Sequence, residues 1–323
     1  MVITVSTAKV ASMAIVAMLG FLLPIGGMIV WWYKKQASFL PFLAGFSIYV
    51  LGVLLCEQIF GSVLFKIPGF QPFMENHVWL LAIYGGLIGC IFEEGAKYLG
   101  FKYFLKNMRT KEVSVSFGLG FAALPAVFNC GMQMMYSAMI VDQIKGKTME
   151  QAIADLGFSA QSDIDSFTAM VNYLMETKTS EFVMSGLESV AIFLIQAFLA
   201  ILVFRAIEER RMIYLGMAMV IRFLFNFVNG LYAYEAMPNV MVFQVILILL
   251  AIATVVYGVI SYRNMCVAEK TKDAKKETFA YHKDNSGKSL RSIMNNAKSD
   301  TFATAEEQEE AFQEAWEEQK KDK

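Results

Sequence analysis

Histidine is nearly absent from this chain, and paired cysteine is absent altogether. Its 323 residues hold two histidines, His77 in a loop between apolar runs and His282 in a polar tail. A zinc centre built from several histidines is therefore excluded within one chain. Cys56, Cys90, Cys130 and Cys266 show no Cys-x-x-Cys spacing, so neither a disulfide framework nor a thiolate metal site is implied. No metal and no other cofactor is expected. A charge excess is lacking too: 28 Lys and Arg stand against 29 Asp and Glu, a formal net charge of −1. That balance gives no basic field for nucleic acid, and no nucleic-acid partner is expected.

What the chain does have is apolar sequence. Hydrophobic residues make up 56% of it, in runs long enough to cross a bilayer. Seven runs qualify, at about residues 8–33, 38–64, 77–105, 113–141, 182–207, 212–234 and 239–262. The expected fold class is an all-α polytopic membrane protein. The dense basic clusters follow runs one, three, five and seven: Lys34 and Lys35, then Lys102 to Lys111, then Arg205 to Arg211, then Arg263 to Lys276. The bias of Lys and Arg toward the cytoplasm then sets the N-terminus outside and the C-terminus in the cytosol, as in a multi-pass protein of the plasma membrane. The first run is not a removed signal peptide, because its charges follow the apolar stretch. Trp31, Trp32 and Tyr33 read there as an interfacial belt.

Two polar stretches flank or interrupt this domain of residues 1–262. Residues 142–181 form an acidic outer connection in which Thr148 with Gln151, and Ser162 with Asp165, read as helix starts and Gly157 as a stop. Two short helices are expected, as a solvated cap or as a gate for a substrate or partner. Residues 263–323 form a charged cytosolic tail ending in an amphipathic helix at 304–320. Thr304 with Glu307 makes a capping box there, and Phe312 and Trp316 share a face. That face would dock on the protein's own cytosolic side or on a cytosolic protein partner.

Glu93 and Glu94 lie within the third run, and a charged side chain at the centre of a membrane helix costs about 2.5–3.5 kcal/mol on insertion scales. Other polar groups recur at helical spacing: Lys97 in run three, Asn129 and Gln133 in run four, Glu188 and Gln196 in run five, and Arg222, Asn226 and Asn229 in run six. Each stripe is expected to turn from lipid toward its neighbours, giving one polar interior that Glu57 and Gln244 would join. Glu93 and Lys97, four apart, form the expected helical pair. Arg222 would then meet Glu188 or Glu94. Such a cluster serves either proton exchange with water or a structural ion-pair network.

The segment FEEGAKYLGF (Phe92 to Phe101) resembles the signature of the YhfC-type intramembrane proteases, relatives of PrsW and the CAAX-processing membrane proteases. FGLGFAALPA (Phe117 to Ala126), GLESVAIFLIQAFLAILVF (Gly186 to Phe204) and FNFVNG (Phe225 to Gly230) resemble further segments of that family, in matching order. The resemblance implies a glutamate that activates water, with helpers that orient it and hold an oxyanion. On this chain those roles would fall to Glu93, Glu94, Glu188 and Asn229, with Asn226 or Gln196 as oxyanion donors. Yet the family's histidine positions correspond to Phe121, Gln196 and Phe225, a Glu position to Pro125, and an Arg position to Lys97.

Peptide hydrolysis needs a base, an oxyanion donor and a proton for the leaving amine. With several groups gone together, the expectation is a catalytically impaired protease-like protein. It would bind a membrane protein or lipid in a polar cavity lined by Glu93, Glu94, Lys97, Glu188, Arg222, Asn226 and Asn229. The alternatives are an active glutamic intramembrane peptidase, a proton-coupled transporter or channel, and an accessory subunit acting through Phe312 and Trp316. No inverted repeat is apparent in support of a transporter.

Overall fold

A computed structural model describes residues 2–237 and 239–285, with side chains described as far as Thr271. The described residues form helices joined by short loops, with no strand among them beyond an isolated bridge between Val2 and Thr148. Seven helices have the length and apolarity to cross a membrane. They are span one (Thr7–Lys35), span two (Leu40–Phe65), span three (Val78–Phe104), span four (Lys111–Ile144), span five (Thr179–Glu208), span six (Ile213–Ala233) and span seven (Val240–Thr271). An all-α polytopic membrane protein is therefore what the chain forms. The first six spans lie close to their sequence-based limits. Helix seven runs beyond residue 262 to Asn285, because no Gly or Pro interrupts residues 259–285. The chain divides into two units, residues 1–265 and 266–323. The expected helix at 304–320, with Phe312 and Trp316, lies outside the described residues.

Spans four and five form the centre. Phe117, Phe121, Ile195, Leu199, Leu202 and Val203 are buried there, and spans two, three, six and seven pack around them. Small residues make this packing close. A Cβ on Gly120 would strike the Phe42 carbonyl of span two, and one on Gly118 would strike the Ala197 carbonyl of span five. Such small-residue contacts are how membrane helices approach without a hydrophobic driving force between them. Three spans also contain stretches of wider helical turn, Tyr49–Glu57, Gly100–Phe104 and Ala126–Met132. Such turns shift the register of the residues that follow.

The connection between spans four and five holds the two expected short helices, Met149–Leu156 and Gln161–Glu176. Thr148 and Gln151 form a reciprocal capping box, and Gly157 ends the first helix at φ 73°. The second start differs from expectation. Ala160 is the N-cap and Ser162 lies inside the helix, where Gln161 Nε2 donates to Asp165 Oδ1 at 2.8 Å. Ile3, Val141, Ile144, Ala152, Phe167, Val171 and Phe182 pack together under this cap, and Lys9 Nζ donates to the carbonyls of Leu174 at 3.2 Å and Met175 at 2.6 Å.

Gly120→Val should lower stability by about 1–3 kcal/mol through overpacking against span two. Gly85→Val, at a glycine with open space beside its Cα, should change little. Thermal unfolding in detergent checks both, and equal melting temperatures for the two variants would contradict the close approach.

Candidate functional site

Span three presents a stripe of Ala82, Gly86, Gly89 and Glu93, and all four are buried. The three small residues let span six lie close. Gly230 meets Ala82, Phe223 meets Gly86 and Asn226 meets Gly89. Continuing this antiparallel register by one turn brings Arg222 to Glu93, and Arg222 Nη2 donates to Glu93 Oε1. The ion pair is thus delivered by the backbone approach that the small residues permit.

Span five closes the cluster through one amide. Gln196 Nε2 donates to Glu93 Oε2, while Gln196 Oε1 accepts from Lys97 Nζ at 2.7 Å. Lys97 Nζ also donates to Glu94 Oε1 at 2.5 Å. One hydrogen-bonded chain therefore links Arg222, Glu93, Gln196, Lys97 and Glu94 across spans three, five and six. Glu94, Lys97 and Gln196 are fully buried, and Glu93 and Arg222 are 5% exposed. Two aromatic faces complete it. Lys97 Nζ lies 4.6 Å from the centre of the Phe121 ring, and Arg222 Cζ lies 4.8 Å from that of Phe225, both within cation–π range. Glu94 Oε2 and Arg222 Nε and Nη1 are buried without a hydrogen-bond partner. Tyr49 and half-buried Glu57, on the wide turn of span two, interact electrostatically with Glu93 and Arg222.

The pairing differs from the sequence-based expectation in particulars. Lys97 takes Glu94, three residues away, rather than Glu93, because the Glu93 face turns toward span six. Arg222 accordingly meets Glu93 rather than Glu188 or Glu94. Glu188 stands apart from the cluster, lining a notch with Gln244 between spans five and seven. A helix turns about 100° per residue, so eight residues leave Glu188 and Gln196 about 80° out of line. Asn129 and Gln133 are exposed on the outer surface of span four, where the wide turn at Ala126–Met132 displaces the register. Asn229 Nδ2 donates to the Phe225 carbonyl at 3.0 Å, and Asn226 lies against Gly89. Neither amide makes a hydrogen bond to Glu94 among the described residues.

Chemically, Glu93 has both oxygens engaged, and Glu94 is matched by a lysine and has no exposed surface. The phenylalanines are the residues whose part was hidden in the sequence. There they read as lost polarity, whereas in space their rings face the two cations.

Among the described residues, no group of three or more His, Cys, Asp or Glu is placed to hold a metal. A family model described as "YhfC intramembrane metalloprotease" matches residues 19–247. The curated relative "Uncharacterized membrane protein YhfC" of Bacillus subtilis (strain 168) is 27% identical over 264 residues, covering 81% of this chain and 99% of the relative. No solved structure matches. A metal, as the family description implies, would have to draw Glu93 from Arg222 and Glu94 from Lys97. Its remaining neighbours would be the Gln196 amide and two phenylalanine rings, a donor set that does not fit a divalent transition metal. With the apolar spans, the ordered segments and the match over residues 19–247 in agreement, the chain belongs to the YhfC intramembrane metalloprotease family.

Proposed function

We propose that this chain is a proteolytically impaired member of its family that binds a membrane protein or lipid within the bilayer instead of cutting it. One observation carries the reading: both signature carboxylates are bound by fixed cations in a cluster closed to solvent. A general base must reach the water that it activates. Freeing Glu94 would leave Lys97 buried without its acid, and breaking a buried ion pair costs about 3–5 kcal/mol. The cluster then acts as an internal brace between spans three, five and six, with Lys97 and Arg222 as its fixed charges. In this reading the protein sits in the plasma membrane, and the basic residues after spans one, three, five and seven support an outer N-terminus and a cytosolic tail.

A second reading, an active glutamic peptidase, draws on Glu94 Oε2, a buried carboxylate oxygen without a partner. In that reading a rearrangement admits water to it. The two readings part in a cleavage assay. The purified full chain, reconstituted with membrane proteins that co-purify with it, should leave them uncut. A shortened product made by the wild type and lost in Glu94→Gln would overturn the proposal and establish the peptidase.

The brace has its own consequence. Lys97→Met should destabilise the protein by about 3–5 kcal/mol, because it strands Glu94. The double variant Glu94→Gln/Lys97→Met should recover most of that loss, since both buried charges are then gone. Thermal unfolding of the three variants in detergent, with Glu94→Gln as the third, gives the coupling between the two residues. Additive effects would contradict a structural pair.

A further inference from the structure

A second polar place lies within the membrane, and the cluster does not use it. Glu188 on span five is half-buried and makes no hydrogen bond or ion pair among the described residues. Gln244 on span seven lines the same notch, together with Met184, Leu187, Leu247 and Ile248. Gln244 is 7% exposed, and its Oε1 is buried without a partner. Tyr232, whose ring stacks on Phe243 at 4.1 Å, interacts electrostatically with Glu188. A carboxyl and an orphan amide oxygen facing one notch both ask for a donor. An acid left unpaired in a membrane span is costly, and a buried acceptor without a partner costs about 1–3 kcal/mol.

The notch opens to the lipid-facing surface. Val183 and Leu187 of span five and Met241, Val245 and Ile248 of span seven are exposed large apolar residues around it. A ligand therefore arrives laterally, with an apolar body and one cationic donor. Its depth separates two kinds of amine. Gln244 lies four residues inside span seven, below Val240 to Phe243, which is about 6 Å of helix. A headgroup amine stays beside its phosphate at the interface, whereas a side chain on a helix is held at whatever depth its position sets. Among the described residues, a second copy of this chain has no such group to give: Lys97 and Arg222 are buried and already paired, and Lys9 of span one is engaged with the Leu174 and Met175 carbonyls.

We propose that the seam between spans five and seven docks a membrane-spanning helix of another protein, whose Lys or Arg pairs with Glu188 and donates to Gln244. The proposal rests on the reading of this chain as a binding protein, and it names the chemistry of the partner. Apolar contact along Leu187, Val245 and Ile248 supplies area, and the ion pair supplies selection and register, as buried polar pairs do in other membrane interfaces.

The test uses the full-length protein in phosphatidylcholine vesicles and a synthetic helix of about 21 leucine and alanine residues. One form of the helix carries a single Lys about one turn to two turns below its end, and a control carries Leu at that position. Energy transfer between labelled peptide and protein reads binding. The Lys peptide should bind at least tenfold more tightly than the Leu control. Glu188→Gln, which keeps size and shape, should abolish that difference, and Gln244→Leu should reduce it. Glu188→Lys should reverse the preference toward a peptide carrying Asp. Equal binding of the Lys and Leu peptides to wild type, or a Lys preference that survives Glu188→Gln, would overturn the seam as the site. Loss of the preference on adding phosphatidylethanolamine would overturn it in favour of a lipid amine. None of these outcomes depends on cleavage, so a failure here is distinct from a product found in the cleavage assay.

Discussion

A buried charge in a membrane protein survives only beside its opposite, and the centre of this molecule is arranged around that requirement. Glu93 with Arg222 and Glu94 with Lys97 give two acids and two bases, joined by the Gln196 amide. Each charge alone is costly to place in a bilayer. Together they form a neutral unit that fixes spans three, five and six relative to one another. The requirement runs in both directions. The small-residue stripe of span three has to bring span six close enough for Arg222 to reach Glu93, and that pair then holds the approach at one register.

The same neutrality bears on chemistry. A hydrolytic carboxylate needs access to water and freedom to take a proton, and a metal needs donors that are not already committed to cations. Lys97 and Arg222 engage the two acids that either chemistry would use, and the Phe121 and Phe225 rings face those cations. A π face attracts a cation but offers no lone pair to a metal and no proton to a leaving group. Phenylalanine at these places and fixed cations beside the acids therefore reinforce one another. Restoring a histidine alone would place a second cationic or donor group against Lys97 or Arg222 without freeing either acid.

Much of the fold was legible in the sequence because bilayer thickness sets a length that apolar runs must meet. Seven spans, the capping box at Thr148 and the stop at Gly157 follow from local rules. The membership of the polar cluster was legible only in part. Glu93, Glu94, Lys97 and Arg222 announce themselves as charges in apolar sequence, and they do converge, but helical spacing says which residues share a face and not which neighbour that face meets. That is why Lys97 chose Glu94 and Arg222 chose Glu93. The wide turn in span four moved Asn129 and Gln133 outward, and eight-residue spacing proved too long to keep Glu188 in line with Gln196. The part taken by Phe121 and Phe225 had no local signal, since a phenylalanine in an apolar span looks like any other core residue.

The position of Glu188 then separates two tasks that the sequence had merged. With Glu188 in the cluster, three acids would have faced two bases, and the excess carboxyl would have been the obvious reactive group. With Glu188 at the edge of span five, Glu93 and Glu94 are matched by Arg222 and Lys97, and Glu188 lies beside Gln244 outside the cluster. On the proposed reading, the interior cluster serves stability and the separate acid serves recognition. In the proposed docking, Glu188, which no cation of the cluster meets, is the group that selects a helix arriving from outside.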